Sequence, residues 1–217
     1  MVRRVGAPLV PSTAMLRRLL ASSTIRLAAG LFVAGSLVAA CGATQAPPAT
    51  FDPASACTTD GHRAGAYPDL EASLPASYEG KPATTTDSGR SCTAAALGTL
   101  ASHGVTGVRF AGATWALGES RALTVAVFDG TGIDAPAMLE FYAVPARSAS
   151  HTEKLQTSDM TAGGRPAQRL DVLNSDGTGQ TIVTWPAAVP GRVHVLLASD
   201  LGDTNLAAAL EAFAAAP

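Results

Sequence analysis

Residues 167–198, AQRLDVLNSDGTGQTIVTWPAAVPGRVHVLLA, carry the pattern that decides the fold. In the last part of this segment, apolar Val193 and Val195 flank His194, so that apolar and polar side chains alternate. Alternation with a period of two is typical of a strand that buries one face. The segment predicts three strands: Ala167–Leu173, Gln180–Trp185 and Arg192–Ala198.

The links between the predicted strands have turn composition. Asn174–Gly177 reads NSDG, and Pro190-Gly191 precedes the last strand. Because Asn, Asp, Ser, Gly and Pro favour tight turns, and tight turns join antiparallel neighbours, these strands should pair antiparallel. Three further strands are predicted upstream: Val108–Leu117, Ala122–Phe128 and Lys154–Ser158.

Three helices are predicted between and after the strands. Thr93 or Ser91 caps the first, which Gly104 ends, and Asp134 caps the second, which Pro145 ends. The third runs from about Thr204 to Ala215 behind an Asp203 cap, with four apolar residues at helical spacing: Leu206, Ala209, Leu210 and Phe213. The expected fold class is α+β. We expect a mainly antiparallel sheet of about six strands, with two or three helices packed on one face as a two-layer sandwich.

Composition and charge exclude some classes of partner. The chain has 217 residues, of which 47% are hydrophobic, so it can form a core. Residues 1–40 hold five arginines and no acid, which leaves 10 basic and 17 acidic residues beyond them, a net charge of −7. This net negative charge argues against nucleic-acid binding and against binding to anionic lipids through a cluster of basic residues.

The N-terminus reads as a targeting segment. Basic residues including Arg17, Arg18 and Arg26 precede an apolar run of 14 residues, Leu27–Ala40. That length fits the core of a signal peptide and is short of the ~20 residues that a membrane-spanning helix needs. The Arg17-Arg18 pair leaves general secretion and twin-arginine export both open.

The apolar run ends in Val38-Ala39-Ala40-Cys41. This sequence resembles the lipobox of bacterial lipoproteins, and the resemblance covers residues 1–41 only. It implies that the Cys41 sulfur receives a diacylglyceryl group, that the peptide is cleaved before Cys41, and that the new N-terminus is acylated, as by palmitate. We therefore expect a lipid anchor in the cell membrane, with the protein facing the extracytoplasmic side. The alternative is an ordinary cleaved signal peptide followed by a chance cysteine.

Two cysteines remain in the exported part, Cys57 and Cys92. An even pair in an oxidising compartment favours a disulfide bond, with two free thiols or a metal pair as the alternative. The expected organisation is a signal peptide over residues 1–40, a flexible tether over residues 41–66, rich in Pro, Ala, Gly and Thr, and one α+β domain over residues 67–217.

Candidate chemistry is sparse. His103 suits a helix C-terminus, His194 is expected on an exposed sheet face, and His151 with Glu153 is the nearest approach to an acid–base or metal pair. Residues 174–179 match the opening of a calcium loop, but its twelfth position is Trp185, so a turn is the better interpretation. Asp203 is interpreted as a helix cap, with an acid–base pair with Asp200 as the alternative. Trp115 and Trp185 are interpreted as packing residues, with an aromatic platform for a sugar or peptide as the alternative. Gly163-Gly164-Arg165-Pro166 is interpreted as a tight turn, and it resembles hairpins of uncharacterised secreted bacterial domains.

No catalytic motif is apparent in the sequence. We therefore predict a lipid-anchored binding or envelope-associated module, monomeric, without cofactor or metal and with a protein or small-molecule partner that the sequence does not identify. The alternatives are an envelope-acting hydrolase whose site is assembled only by the fold, and a lipoprotein that captures a small ligand. A cleft gathering titratable groups would favour the hydrolase, and an exposed apolar patch would favour a partner-binding module.

Overall fold

The computed structural model describes residues 51–118 and 120–214. The predicted signal peptide and the predicted lipidation site Cys41 lie outside these residues. Five helices occur in the described part: α1 Pro68–Glu71, α2 Ala94–Leu97, α3 Thr99–Ser102, α4 Ala135–Ser148 and α5 Asp203–Ala214. Ten strands occur there: β1 Gly61–Arg63, β2 Ser77–Tyr78, β3 Lys81–Pro82, β4 Thr85–Ser91, β5 Val108–Ala116, β6 Ala122–Asp129, β7 Thr152–Ala162, β8 Arg165–Asn174, β9 Gly179–Pro186 and β10 Arg192–Ser199.

Eight of the strands within residues 51–118 and 120–214 form one sheet in the order β1-β4-β5-β6-β10-β9-β8-β7. Every pairing in it is antiparallel, and β2 and β3 form a separate two-stranded ribbon. The α+β class and the antiparallel sheet are therefore confirmed. The strand number was underestimated because β1, β2, β3 and β4 consist of short or polar stretches without alternation.

One face of the sheet, which we call the α4 face, packs under helix α4. Met138 of this helix is fully buried, and Tyr142 is 8% exposed. They meet inward-facing side chains of the strands: Ala126, Phe128, Leu170, Val172, Ile182, Val193 and Val195. Helices α2 and α3 contribute Leu97 and Leu100 to the same cluster. Burial raises the pKa of the Tyr142 hydroxyl far above its usual range.

The opposite face, which we call the α5 face, packs under helix α5. The four apolar residues of its predicted stripe are all buried, whereas Thr204 and Glu211 are exposed. The ring of Phe213 lies 5.4 Å from that of Trp115 and 5.4 Å from that of Tyr78, between ring centroids. Further strand residues complete this cluster: Leu123, Val125, Val183, Trp185, Leu196 and Ala198.

Helices on both faces correct the expected two-layer arrangement to three layers. In β9, Ile182 faces α4 while Val183 faces α5, so alternate residues of one strand are buried on opposite sides. A central strand buried on both faces needs a covering layer on each. The sequence pattern missed this because alternation shows only which residues share a face, not whether the second face is covered.

Two helices depart from their predicted bounds. The stretch predicted as Thr93–His103 is divided into α2 and α3 at Gly98, whose φ of +52° ends the first helix. A Cβ atom at Gly98 would lie 3.3 Å from the Phe141 ring, so glycine also permits this close packing. Helix α4 continues through Pro145 to Ser148, so proline did not end it. The caps predicted for the first two helices are confirmed, since Thr93 Oγ1 accepts from Ala96 N and Asp134 Oδ1 from Ala137 N. The cap predicted for the third helix was wrong, because Asp203 is the first residue of α5 and its carboxylate accepts from Arg169.

A disulfide joins Cys57 to Cys92, with the two Cα atoms 5.3 Å apart. It holds residues 51–66, part of the predicted tether, against the sheet, where β1 pairs with β4 and Ala66 is buried. The carboxylate of Asp60 accepts from the backbone N–H of Cys92 and of Thr93. Burial raises the pKa of Asp60, but these bonds outweigh it and the net pKa is lowered. No helix of the described residues is long and apolar enough to cross a membrane.

Candidate functional site

A cavity of about 520 Å³ opens on the α5 face where β7, β8 and β9 meet the loop before α5. We call it the polar groove. Its lining comprises Lys154, Gln156, Asp171, Val172, Leu173, Gly177, Gly179, Gln180, Thr181, Ala198, Asp200, Leu201 and Gly202. The cross-strand register explains why these residues meet, because Gln156 pairs with Asp171 and Asp171 pairs with Thr181.

Asp171 is held in the groove by its neighbours. Both of its carboxylate oxygens accept from Arg169 Nε, at 2.9 and 2.8 Å, and Oδ1 also accepts from Thr181 Oγ1 at 2.7 Å. Arg169 Nη2 donates to Asp203 at the start of α5. The hydrogen bonds to Asp171 and Asp203 keep the pKa of Arg169 above its usual value. Asp171 is therefore an oriented acceptor.

Asp200 forms the other side of the groove. Its Oδ1 accepts from Gly179 N at 2.7 Å, and its own N–H donates to the Gly179 carbonyl at 2.8 Å. Asp200 has a φ of +48°, in the left-handed region where aspartate is among the better tolerated residues. Asp200 and Asp203, for which an acid–base pair was the functional alternative, have different partners, since the Asp200 carboxylate accepts from Gly179 N and that of Asp203 from Arg169.

A glutamine and a lysine offer further polar groups to the cavity. The side chains of Gln156 and Lys154 are exposed and make no hydrogen bond or ion pair to the described residues, whereas Gln180 pairs with Val172 and shares the α4 face with it. Leu173, 38% exposed, and partly buried Leu201 add an apolar patch. The groove thus combines donors, acceptors and a limited apolar surface.

The turn after β8 is closed by its own side chains. Asp176 Oδ1 accepts from the backbone N–H of Thr178 at 2.9 Å and from its hydroxyl at 2.6 Å, and these bonds lower the pKa of Asp176. The interpretation of residues 174–179 as a turn fits this geometry. Within the part of the chain that the structure describes, no group of three His, Cys, Asp or Glu residues could hold a metal ion.

His194 differs from its expected place on an exposed face. It is 3% exposed, and its ring stacks on Trp185 with the ring centroids 5.4 Å apart. Burial, followed by the positive charges of Arg165 and Arg192, lowers the pKa of His194 to about 4. The expectation was wrong because the α5 face, to which His194 belongs, is covered.

The two tryptophans lie in the core rather than on an open platform. Trp115 is 2% exposed and donates through Nε1 to the Lys81 carbonyl, and Trp185 is 1% exposed. His103 ends α3, where its ring bonds to Glu140 at 2.8 Å, as its predicted place at a helix end suggested. The sequence singled out Asp200 but missed Lys154, Gln156, Asp171 and Thr181 as a set, since only the register across three strands brings them together.

Comparison with known proteins assigns no relationship: no family model matches the chain, and no curated protein matches it.

Proposed function

We propose that this protein is a lipid-anchored, extracytoplasmic binding module whose ligand occupies the polar groove. The observation that carries the proposal is the convergence of donors and acceptors on one cavity of about 520 Å³. That volume falls in the range of small-molecule sites, which combine a few oriented polar groups with an apolar surface. The Cys57–Cys92 disulfide supports an oxidising compartment outside the cytoplasm.

The groove lining favours a ligand with several hydroxyl groups, such as a sugar unit. The Gln156 amide both donates and accepts, as a hydroxyl does. The Asp200 carboxylate accepts, the Lys154 ammonium donates, and Leu173 suits the C–H face of a sugar ring. If the protein is instead a lipoprotein that captures a small ligand, that ligand would occupy the same groove.

The alternative is an envelope-acting hydrolase. General acid catalysis by a carboxyl group requires that the group hold a proton near its working pH. The Asp171 carboxylate is instead occupied by hydrogen bonds from Arg169 and Thr181, an arrangement that suits an oriented binding group. Asp171 therefore supports the binding module more than it supports the hydrolase.

The anchor is tested with Cys41→Ser. Wild-type cells fed a labelled fatty-acid analogue should yield labelled protein in the membrane fraction, and the variant should carry no label. Equal labelling of the two proteins would refute lipidation without affecting the groove.

The groove is tested by titrating the purified full chain with glucose, N-acetylglucosamine and their β-1,4-linked dimers, followed by NMR. At least one sugar should shift the amide signals of Gly179 and Leu201, and Gln156→Ala should weaken its binding. Gln168→Ala, which removes an amide of β8 outside the groove lining, is the matched control. Shifts that are absent, or that survive in Gln156→Ala unchanged, would contradict the assignment.

A further inference from the structure

Charged residues form a row across the α5 face, at the opposite strand ends from the polar groove. Arg90 on β4 pairs with Arg109 on β5, and Arg109 pairs with Asp129 on β6. Asp129 in turn pairs with Arg192 on β10. Directly paired antiparallel residues point to the same face, so these side chains share the α5 face.

The row continues to β8. Arg192 is bonded across to Ala187, whose N–H donates to the Arg192 carbonyl at 3.0 Å. Beyond Ala187 lies Arg165, whose Nη1 donates to the Pro186 carbonyl at 3.1 Å. We call the following four residues the arginine row: Arg90, Arg109, Arg192 and Arg165.

Positive charge exceeds negative charge in the row. Asp129 Oδ2 accepts from Arg109 Nη2 at 2.9 Å and from Arg192 Nη2 at 3.0 Å, and Asp69 lies 3.5 Å from Arg109 Nη1. Arg165 has no carboxylate partner among the described residues. The excess stands out because the chain beyond residue 40 carries a net charge of −7.

Arg90 is the exception within the row, because the protein itself satisfies it. It is 3% exposed, and its guanidinium donates to the carbonyls of Thr59 and Ser55 and to the Ser55 hydroxyl. The disulfide-held segment thus occupies this end of the row. At the other end of the row, no side chain of the described residues accepts a hydrogen bond from Arg165, which donates to the Pro186 carbonyl.

Arg165 and Arg192 lie on either side of Ala187, the residue after β9, and we call the space between their side chains the gap. Two strand spacings, about 10 Å, separate their backbones, and Ala187 places only a methyl group between them. One donor there lacks an acceptor, because Arg192 Nε is buried without a partner among the described residues. A buried donor without an acceptor calls for a bound ion or water.

We infer that the gap between Arg165 and Arg192 binds a phosphate group, carried either by a soluble molecule or by a lipid headgroup. The planar guanidinium fork matches phosphate oxygens. Arg192 uses Nη2 for Asp129 and Arg165 uses Nη1 for the Pro186 carbonyl, which leaves Arg192 Nε and the other guanidinium nitrogens of Arg165 for an anion. The anion offsets the excess charge of the row. Burial is the main cause of the low pKa of His194, and the positive charges of Arg165 and Arg192 add to it. This site is separate from the polar groove, so either can fail without the other.

The test adds inorganic phosphate to the purified full chain at constant ionic strength and follows the thermal midpoint and the His194 ring signals by NMR. Phosphate should raise the midpoint more than chloride and shift the His194 signals. Arg165→Gln should weaken binding roughly tenfold or more, the value of one charge-assisted hydrogen bond, and Arg165→Lys less. Arg121→Gln is the control, because Arg121 lies in the β5–β6 loop and bonds the Leu117 carbonyl.

A second arm separates the two sources of phosphate. The full-length Cys41→Ser chain is mixed with phosphatidylglycerol or phosphatidylcholine vesicles. Sedimentation with phosphatidylglycerol alone, reduced by Arg165→Gln, identifies a lipid headgroup, whereas binding of free phosphate without vesicle binding identifies a soluble ligand. The proposal is overturned if neither probe binds. It is also overturned if wild type and Arg165→Gln bind a probe equally, provided that the two proteins have the same thermal midpoint without ligand.

Discussion

The α4 face and the α5 face of the same sheet differ in what their helices leave uncovered. Under α4, apolar side chains from β6, β8, β9 and β10 meet the helix and form one continuous cluster. Under α5, the aromatic centre around Phe213 is flanked by the polar groove at one end and the arginine row at the other. The comparison suggests that the α4 face serves mainly stability, while the ends of the α5 face are available for ligands.

The largest expected effect comes from the centre of the α5 face. Phe213→Ala should lower the free energy of unfolding by roughly 3–5 kcal/mol, because it removes buried surface and leaves a cavity beside Trp115 and Tyr78. Denaturant unfolding measures the loss. Glu211→Ala, an exposed change on the same helix, should stay within about 0.5 kcal/mol. Equal effects of the two variants would mean that α5 is not docked on the sheet.

Reduction of the disulfide tests the segment that covers the Arg90 end of the α5 face. Breaking the Cys57–Cys92 bond should cost about 3–4 kcal/mol in the chain-entropy model, since the bond closes a loop with a sequence separation of 35 residues. The thermal midpoint with and without reductant measures this effect. The Cys57→Ser/Cys92→Ser double variant should match the reduced protein and show no response to reductant.

His194 should make stability depend on pH. Its pKa of about 4 in the folded protein lies below the ordinary value of 6.5, so the unfolded chain binds more protons between these values. The free energy of unfolding should therefore fall as pH drops below 6.5, by about 3 kcal/mol at pH 4.

The matched variant for this dependence is His194→Phe, which keeps a ring against Trp185 but does not titrate. Its stability should vary less between pH 7 and pH 4 than that of wild type. His151→Gln, at an exposed position, should keep the wild-type slope. A slope that persists in His194→Phe would assign the effect to carboxylates elsewhere.

The smallest expected effect lies on the α4 face. The fully buried hydroxyl of Thr184 donates to the Ala135 carbonyl at 3.0 Å, at the start of α4. Thr184→Val preserves the shape but leaves that carbonyl without its partner, at a cost of about 1–2 kcal/mol. Sugar and phosphate binding should remain unchanged, because this face carries neither site. Altered binding would show that the two faces are coupled.

Local patterns predicted the regular parts of the fold well. Alternation around Val193 and the i, i+3, i+4, i+7 stripe ending at Phe213 identified β10 and the buried side of α5. The continuation of α4 through Pro145 was missed because tertiary packing outweighed a local helix breaker. The second covered face was missed because the pattern identified α4 and α5 as helices but not the sides of the sheet on which they pack.

The candidate sites were harder to predict than the fold. Asp171 and Gln156 are 15 positions apart, and Arg192 and Arg109 are further apart still, so only strand register makes them neighbours. The NSDG turn and His194 attracted attention through local composition, yet the turn is closed by its own side chains and His194 is buried in the core. Polar residues that alternate with core residues carry no local signal of a site.

The position of the disulfide also determines how the domain carries mechanical load. A pull on the chain from the N-terminal side reaches Cys57 and passes through the bond directly to Cys92. Strands β1 to β4 and helix α1 all lie inside the closed covalent loop and are bypassed. The load passes from Cys92 directly to α2 and the rest of the chain. While the bond is intact, a pull from the N-terminal side therefore puts no tension on β4 and does not peel it from β5, with which it pairs from Thr85 to Ser91.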